Sequence, residues 1–228
     1  MAQLTDAQLA KMIQHTNVNP ELTRDGVVAL CQDCIKYGFN GVMIQPAWVP
    51  TAKEALKGTD INVCTALAYP MGADLTEAKV FEAKRVFALG ADQLDFMANI
   101  GYLKGGEYDK YRDEIKAVVD AAEGHTTKIM LEFGMLTQDE KKRAAELAIE
   151  AGITFVKNSS GWGKGGHATI KDIKLLKEIA GDRALVKASG GIRTKEQALA
   201  FIDAGASMLG MSAGVAIMNG GADKKAAY

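Results

Sequence analysis

The sequence of 228 residues predicts an α/β protein, a TIM (β/α)8 barrel with an extra N-terminal helix. Eight short apolar segments recur along the chain, helical patterns separate most of them, and five of those patterns end at a glycine just before the next apolar segment. Strands that alternate with helices favour a parallel sheet, and eight such units favour closure into a barrel. An open doubly wound sheet is the alternative, but no GxGxxG follows the first strand.

The predicted elements follow in chain order. Residues 5–11 form the extra helix, and the chain is one domain over residues 1–228 with a flexible C-terminal tail at about 219–228. The eight predicted strands span residues 12–16, 41–45, 62–67, 92–96, 127–132, 153–157, 184–188 and 207–210.

Both ends of the predicted helices carry sequence signals. Glycine commonly follows a helix because it adopts the left-handed conformation without steric cost. The five glycines at such positions are Gly38, Gly90, Gly152, Gly181 and Gly205. Capping-box spacing marks three helix starts: Thr137 with Glu140, Thr194 with Gln197 and, in looser form, Asp74 with Glu77.

Composition argues against several classes of protein. The chain has 27 Lys and Arg against 28 Asp and Glu, so no net field attracts nucleic acid or an anionic membrane, and no apolar run approaches the ~20 residues that span a bilayer. Three cysteines and a start without a secretory pattern predict a cytoplasmic protein. Cys31 and Cys34 share one face of a predicted helix, which we interpret as core packing. His15, His125 and His167 lack metal-binding spacing, so we expect neither metal nor cofactor.

Polar residues at the carboxyl ends of barrel strands are the first candidates for chemistry. Lys157 and Lys187 end the consecutive segments TFVK and ALVK at matching positions, so both side chains can point into the barrel mouth. Burying an unpaired ammonium group is costly and shifts its pKa. Their neutralisation by Asp95 and Glu132 in an inert ion network is the alternative to a catalytic role.

Two adjacent lysines have a definite chemical use. A lysine with the ordinary pKa of about 10.4 is protonated at neutral pH and cannot attack a carbonyl group. Repulsion between Lys157 and Lys187 lowers the pKa of one of them and leaves a usable fraction as free amine, although sequence does not decide which lysine loses its proton first. Asp95 is then the candidate to transfer protons to and from the substrate.

Glycine-rich turns after the last three strands predict a phosphate site. SSGWGKGG follows Lys157, SGGIRT follows Lys187 and GMSAG follows the last strand, so free backbone N–H groups converge where barrels often bind phosphate. Arg193 can add a bidentate contact. Tight loop packing is the alternative for each turn taken alone.

Over nearly its whole length the chain resembles the deoxyribose-phosphate aldolases, through segments such as VCTALAYPMGADLTEAKVFEAK, GADQLDFMANIG, FVKNSSGWGKGG and VKASGGIRT. The resemblance implies reversible cleavage of 2-deoxy-D-ribose 5-phosphate to acetaldehyde and D-glyceraldehyde 3-phosphate without metal or cofactor. It implies that Lys157 forms the Schiff base, Lys187 tunes it and Asp95 is the acid/base. The implied substrate and phosphate contacts are Thr16, Ser160, Gly161, Gly190, Gly191, Arg193, Gly210 and Ser212.

Departures from the family pattern lie mostly around the substrate, so a different sugar phosphate is one alternative, and a catalytically silent barrel that binds a sugar phosphate is another. Gln14 stands in place of the usual Asp, Met43 and Gln45 in place of Cys and Asn, and Phe133 and Gly134 in place of a Thr-Cys pair. The remaining departures are Asn158 and Ser160 in place of threonines, and Trp162, which enlarges its turn.

The family resemblance also concerns the chain end and the partners. Tyr228 resembles a terminal tyrosine that reaches the site in some members and relays a proton. We expect small-molecule sugar phosphate and aldehyde substrates, no nucleic acid, no membrane and a homodimer.

Overall fold

The structure, a computed structural model, describes residues 4–221, and within them eight parallel strands form a closed barrel in the order β1 to β8, with β8 paired to β1. This confirms the predicted barrel. The strands are β1 Ile13–Thr16, β2 Gly41–Ile44, β3 Asn62–Leu67, β4 Gln93–Met97, β5 Thr126–Met130, β6 Phe155–Lys157, β7 Leu185–Ser189 and β8 Met208–Met211.

Helices follow the strands and cover the outside of the barrel. The first, α1, precedes β1 and is the predicted extra helix. The helices are α1 Asp6–Ala10, α2 Arg24–Tyr37, α3 Val49–Ala55, α4 Thr76–Ala88, α5 Ile100–Lys104, α6 Tyr108–Ala121, α7 Gln138–Glu150, α8 Ile170–Ala180, α9 Lys195–Asp203 and α10 Gly214–Met218.

The predicted strand boundaries are correct to within two residues at every end. The largest error at a carboxyl end is in β5, which ends at Met130 rather than at Glu132, because Glu132 adopts the left-handed conformation with φ 51° and ψ 53° and leaves the sheet. A non-glycine residue in that conformation is uncommon and is a feature often found at functional sites.

Most of the predicted helix signals are confirmed. Thr137 and Thr194 form complete capping boxes, and Gly38 closes α2 in the left-handed conformation with φ 69°. The prediction at Asp74 is wrong: α4 begins at Thr76 with Leu75 as N-cap, and no side chain caps it. Asp74 lies one residue too early for its carboxylate to reach the free N–H groups of the first turn.

Alternation along the strands separates two apolar layers. Residues such as Val42, Leu94 and Val156 point outward and join the large core between strands and helices. A smaller cluster faces the barrel interior and consists of Val18, Met43, Cys64, Ala66, Met97 and Met130. Cys31 and Cys34 are buried in the outer core, which confirms their interpretation as packing residues.

Candidate active site

The carboxylate of Asp95 joins the two lysines that the sequence analysis singled out. Lys157 and Lys187 are direct neighbours across β6 and β7. Lys157 Nζ lies 2.9 Å and Lys187 Nζ lies 2.7 Å from the same oxygen, Asp95 Oδ2. The structure therefore brings all three predicted catalytic residues into one contact.

A third lysine, Lys128, belongs to this cluster, and the sequence analysis missed it. Its Nζ lies 3.3 Å from Asp95 Oδ1, and it makes no hydrogen bond to any residue in the range 4–221. Lys128 is the neighbour of Asp95 across β4 and β5. The alternation of β5 places Lys128 on the inward face, so this pattern is the signal that could have revealed it. Lys128 lies in the middle of the strand rather than at its carboxyl end.

Burial and charge set the protonation of the cluster. Burial lowers the pKa of Lys187 to about 7, and the cations of Lys157 and Lys128 contribute to this lowering while Asp95 opposes it. Burial alone would raise the pKa of Asp95, but the three lysines outweigh it and hold that pKa far below its usual range. Like-charge repulsion, the cause inferred from sequence, thus acts together with a larger effect of burial.

Accessibility distinguishes the three lysines. Lys157 ends β6 at the mouth and is 6% exposed, whereas Lys187 and Lys128 are 0% exposed. A carbonyl compound that enters the mouth therefore meets the Lys157 side chain first. Lys187 and Lys128 lie deeper, and each contacts Asp95.

Gln14 connects the cluster to β1. Lys187 Nζ donates to Gln14 Oε1, and Gln14 Nε2 donates to Gln93 Oε1 at 2.8 Å and to Asn40 Oδ1 at 3.2 Å. Gln14 is fully buried. The amide that replaces the family's usual Asp is thus a hydrogen-bonded neighbour of Lys187 in the barrel interior.

Glu132 organises the loop that follows β6. Its carboxylate accepts hydrogen bonds from the backbone N–H and the hydroxyl of Ser160. Burial raises the pKa of Glu132, opposed by these hydrogen bonds and by Lys157. Gly165 lies so close that an added Cβ would be 1.7 Å from Glu132 Oε2, so a glycine is required there. The inert-network alternative is not supported for Glu132, since it binds the loop rather than a lysine.

The loops after β6 and β7 meet at the predicted phosphate site. A Cβ on Gly190 would lie 3.5 Å from Gly161 Cα and 2.9 Å from the carbonyl oxygen of Gly166. Gly190 and Gly191 have φ values of 93° and 74°, which glycine adopts without strain. Arg193 is half-buried immediately after this turn.

The other predicted contact residues occupy different surroundings. Thr16 ends β1, half-buried, and its hydroxyl donates to the carbonyl oxygen of Gln14 at 2.9 Å. Gly210 lies against the side chain of Lys187, where a Cβ would be 3.1 Å from Lys187 Cε, so it provides space for that lysine. Ser212 is half-buried just after β8. Tyr228 lies outside the described residues.

Two of the departures from the family pattern join neighbouring loops. Asn158 accepts from the backbone N–H of Ser189 at 2.9 Å and donates to its carbonyl oxygen at 3.1 Å, which ties the ends of β6 and β7 together. Gly134 permits close approach of the next loop, because a Cβ there would lie 2.6 Å from the carbonyl oxygen of Lys164.

The remaining departures lie in different layers of the barrel. Met43 belongs to the interior apolar cluster, whereas Phe133 is buried in the outer core. Trp162 packs edge-on against Tyr69 with ring centroids 6.4 Å apart. Tyr69 also donates from its hydroxyl to the carbonyl oxygen of Ser160 at 3.3 Å. The mouth thus has an apolar side on β2 to β5 and a glycine- and serine-rich side on β6 to β8.

Two features are absent from the described part of the chain. Residues 4–221 contain no group of three His, Cys, Asp or Glu side chains arranged to hold a metal ion. Within the same range the helices are too short or too polar to cross a bilayer.

The fold and this cluster define the class of protein: a (β/α)8-barrel enzyme equipped for amine chemistry on a carbonyl compound. The family model described as DeoC/LacD family aldolase matches residues 9–220. The chain belongs to this family of aldolases.

Individual relatives agree with the family. A curated deoxyribose-phosphate aldolase of an Exiguobacterium species is 46% identical over 215 residues, which cover 94% of this chain and 97% of the relative. The crystal structure of a putative deoxyribose-phosphate aldolase from Coccidioides immitis superposes with a TM-score of 0.92 at 35% identity, covering 95% of this chain and 86% of that one. A deoxyribose phosphate aldolase from Aeropyrum pernix, described as a unique tetrameric structure, gives 0.88 at 25% identity and covers 94% and 91% of the two chains.

Proposed function

We propose that the protein catalyses the reversible cleavage of 2-deoxy-D-ribose 5-phosphate to acetaldehyde and D-glyceraldehyde 3-phosphate through a Schiff base on Lys157. The observation that carries this proposal is the pair of buried lysines on one carboxylate, with only Lys157 and not Lys187 reachable from the mouth. Membership of the aldolase family and the names of the relatives support it.

The steps follow from the chemistry of an amine and an aldehyde. The free amine of Lys157 adds to C1 of the open-chain sugar, and loss of water gives a protonated imine that accepts electrons. The C2–C3 bond then breaks, the C3 hydroxyl loses its proton, and glyceraldehyde 3-phosphate leaves an enamine on Lys157. Protonation at C2 and hydrolysis release acetaldehyde and restore the amine.

Asp95 and Lys187 donate and accept the protons that these steps require. Asp95 stays ionised and accepts hydrogen bonds from both ammonium groups, so a proton can pass between them or to an intervening water. Lys187, with its pKa lowered to about 7, exchanges its proton near neutral pH. These roles remain proposals, as does a proton relay by Tyr228.

We assign the phosphate of the substrate to the loops after β6 to β8. Gly190 and Gly191 offer backbone N–H groups, and Arg193 adds a cation nearby. The N–H of Gly161 donates to Ser159 Oγ at 2.9 Å, so Gly161 contributes close backbone approach instead. Ser160, Ser212 and Thr16 are the proposed hydroxyl contacts. This placement leaves the acetaldehyde half of the sugar near Lys157.

A second candidate is the same chemistry on a different sugar phosphate. The observation that favours it is the replacement of a carboxylate by Gln14 and the presence of Trp162 beside Tyr69 at the mouth. Sites that hydrogen-bond substrate hydroxyls discriminate strongly, so these changes alter the preferred sugar. Faster turnover of another phosphorylated sugar than of deoxyribose 5-phosphate, in a panel assay, selects this candidate. If the protein is instead a catalytically silent barrel that binds a sugar phosphate, no sugar in the panel is turned over.

Trapping of the Schiff base tests the mechanism directly. Borohydride reduction with acetaldehyde, followed by peptide mass mapping, should place an ethyl adduct on Lys157 and should fail in Lys157→Arg. Lys174→Arg makes the same change on the exposed face of α8 and should leave the adduct intact. An adduct on another lysine, or none on folded wild-type protein, refutes the proposed mechanism.

We further propose a cytoplasmic homodimer. The three cysteines are free and buried, which suits a reducing compartment. Light scattering after size exclusion should give the mass of two chains, and a tetramer, the state described for the Aeropyrum pernix relative, contradicts this. Cell fractionation tests the location.

A further inference from the structure

The barrel interior holds more positive than negative charge. Lys128, Lys157 and Lys187 surround one fully buried carboxylate, Asp95, and all three ammonium groups lie within 3.3 Å of it. When all three lysines are protonated, the cluster carries two positive charges in excess. A cluster of this kind loses a proton more easily than a balanced one.

The groups that face Lys187 from each neighbouring element are few. They are Lys157 from β6, Asp95 from β4, Lys128 from β5, the Cys64 thiol from β3 and the neutral Gln14 from β1. On the β8 side the contact is Gly210, which carries no side chain. Lys187 therefore has one carboxylate partner, Asp95, and would have a second one only if position 14 carried a carboxylate in place of the amide of Gln14.

Hydrogen bonds fix the direction in which the Gln14 amide points. Its Nε2 faces three acceptors, Gln93 Oε1 at 2.8 Å, Cys64 Sγ at 3.1 Å and Asn40 Oδ1 at 3.2 Å. Its oxygen is therefore turned to Lys187 Nζ, which also donates to Asp95 Oδ2 at 2.7 Å. Gln14 satisfies a buried donor of Lys187 and adds no charge.

We propose that Gln14 is a positioning residue of the lysine cluster: its amide holds Lys187 against Asp95 and adds no second negative charge, so a larger fraction of the cluster is deprotonated at a given pH than with a carboxylate at this position. This inference rests on the proposed function, because the free amine matters only if Lys157 attacks a carbonyl group. Gln14 acts through Lys187 and Asp95, and its effect is on how much of the cluster is deprotonated at a given pH.

The test is the pH dependence of Lys157 labelling by acetaldehyde and cyanoborohydride. Gln14→Glu adds a carboxylate of nearly the same shape, so the midpoint of the profile should move up by about one pH unit or more. At a pH below the wild-type midpoint this corresponds to about tenfold slower labelling. Gln14→Met, which removes the acceptor without adding charge, should not move the midpoint upward.

Gln93→Glu is the matched control for distance. Its carboxylate lies one hydrogen bond further from Lys187, so it should shift the midpoint in the same direction by less than Gln14→Glu does. Circular dichroism confirms folding of each variant. If Gln14→Glu does not fold, Gln93→Glu decides alone, and an unshifted midpoint overturns the inference.

The outcomes separate this inference from the proposed function. Labelling of wild-type Lys157 with an unshifted Gln14→Glu profile overturns the role of Gln14 and leaves the Schiff-base mechanism intact. An equal upward shift in Gln14→Met also overturns it, since that residue adds no charge. Absence of labelling on wild-type Lys157 at every pH refutes the proposed function and the inference together.

Discussion

At the scale of single residues, Asp95 is the group on which the cluster depends. It is the shared partner of Lys157 and Lys187 and the nearest anion to Lys128. Removal of one partner from a buried ion cluster leaves charge without compensation, whereas loss of a surplus buried charge removes both its desolvation cost and its repulsion of the like charges beside it. Asp95 and Lys128 should therefore respond to substitution in opposite directions.

Asp95→Asn should lower the free energy of unfolding by about 3 kcal/mol at neutral pH, because three buried lysines lose the carboxylate that they share. Lys128→Met should keep that free energy unchanged or raise it by about 1 kcal/mol, since Lys128 makes no hydrogen bond within the described range. Urea denaturation of both variants measures the two effects. A loss of stability in Lys128→Met as large as in Asp95→Asn contradicts this account.

At the scale of elements, helix starts differ in how well they are capped. Thr137 and Thr194 form complete capping boxes at α7 and α9, and Thr5 forms a third at α1 that the sequence analysis did not identify. Helix α4 starts at Thr76 with Leu75 as its N-cap and has no side-chain cap, and Leu75 is mostly exposed. The sequence contains a capping residue one position too early, at Asp74.

Leu75→Asp should therefore stabilise the protein by about 0.5 to 1 kcal/mol, because the new carboxylate can accept from the free N–H groups of the first turn of α4. Thr137→Ala, which removes an existing cap, should destabilise it by about 1 kcal/mol. Thermal unfolding compares both variants with the wild type. No gain from Leu75→Asp would show that these N–H groups are already satisfied by solvent.

At the scale of the whole molecule, stability should depend on the protonation of Lys187. Its pKa is about 7 in the folded protein and near 10.5 in the unfolded chain, so between these values the unfolded chain binds more protons. The contribution of Lys187 to the free energy of unfolding then rises with pH over this window. Below about pH 7 both states are protonated, and the contribution of this group is constant.

Urea denaturation at about pH 7 and about pH 8.5 tests this dependence, because the range lies at or below the pH at which ordinary cysteine thiols ionise. The wild type should gain stability from the lower to the higher pH, and Lys187→Met should gain less. Equal gains in both proteins would show that a group other than Lys187 causes the pH dependence of stability.

The sequence predicts the barrel and part of the site, and there is a physical reason why the rest of the site could not be predicted. Strands, helix ends and the Lys157–Lys187 pair follow from local patterns, since adjacent strands of a parallel barrel bring equivalent positions together. The inward position of Lys128 follows from the alternation of β5, but its contact with Asp95 and the contacts of Gln14 depend on which inward-facing side chains meet inside the barrel. Local pattern does not contain that information, because several inward-facing layers are compatible with the same alternation.

Closure of the barrel also sets the order in which the protein becomes active during its synthesis. Gln14 and Lys187 touch although 173 residues separate them, and β8 must pair with β1 to complete the wall beside them. A ribosome-bound chain that lacks the seventh and eighth strands contains Lys157 and Asp95 but neither Lys187 nor a sealed interior. The growing polypeptide therefore cannot assemble the cluster of Lys157, Asp95 and Lys187 until β7 has emerged, and it cannot close the wall beside that cluster until β8 has emerged.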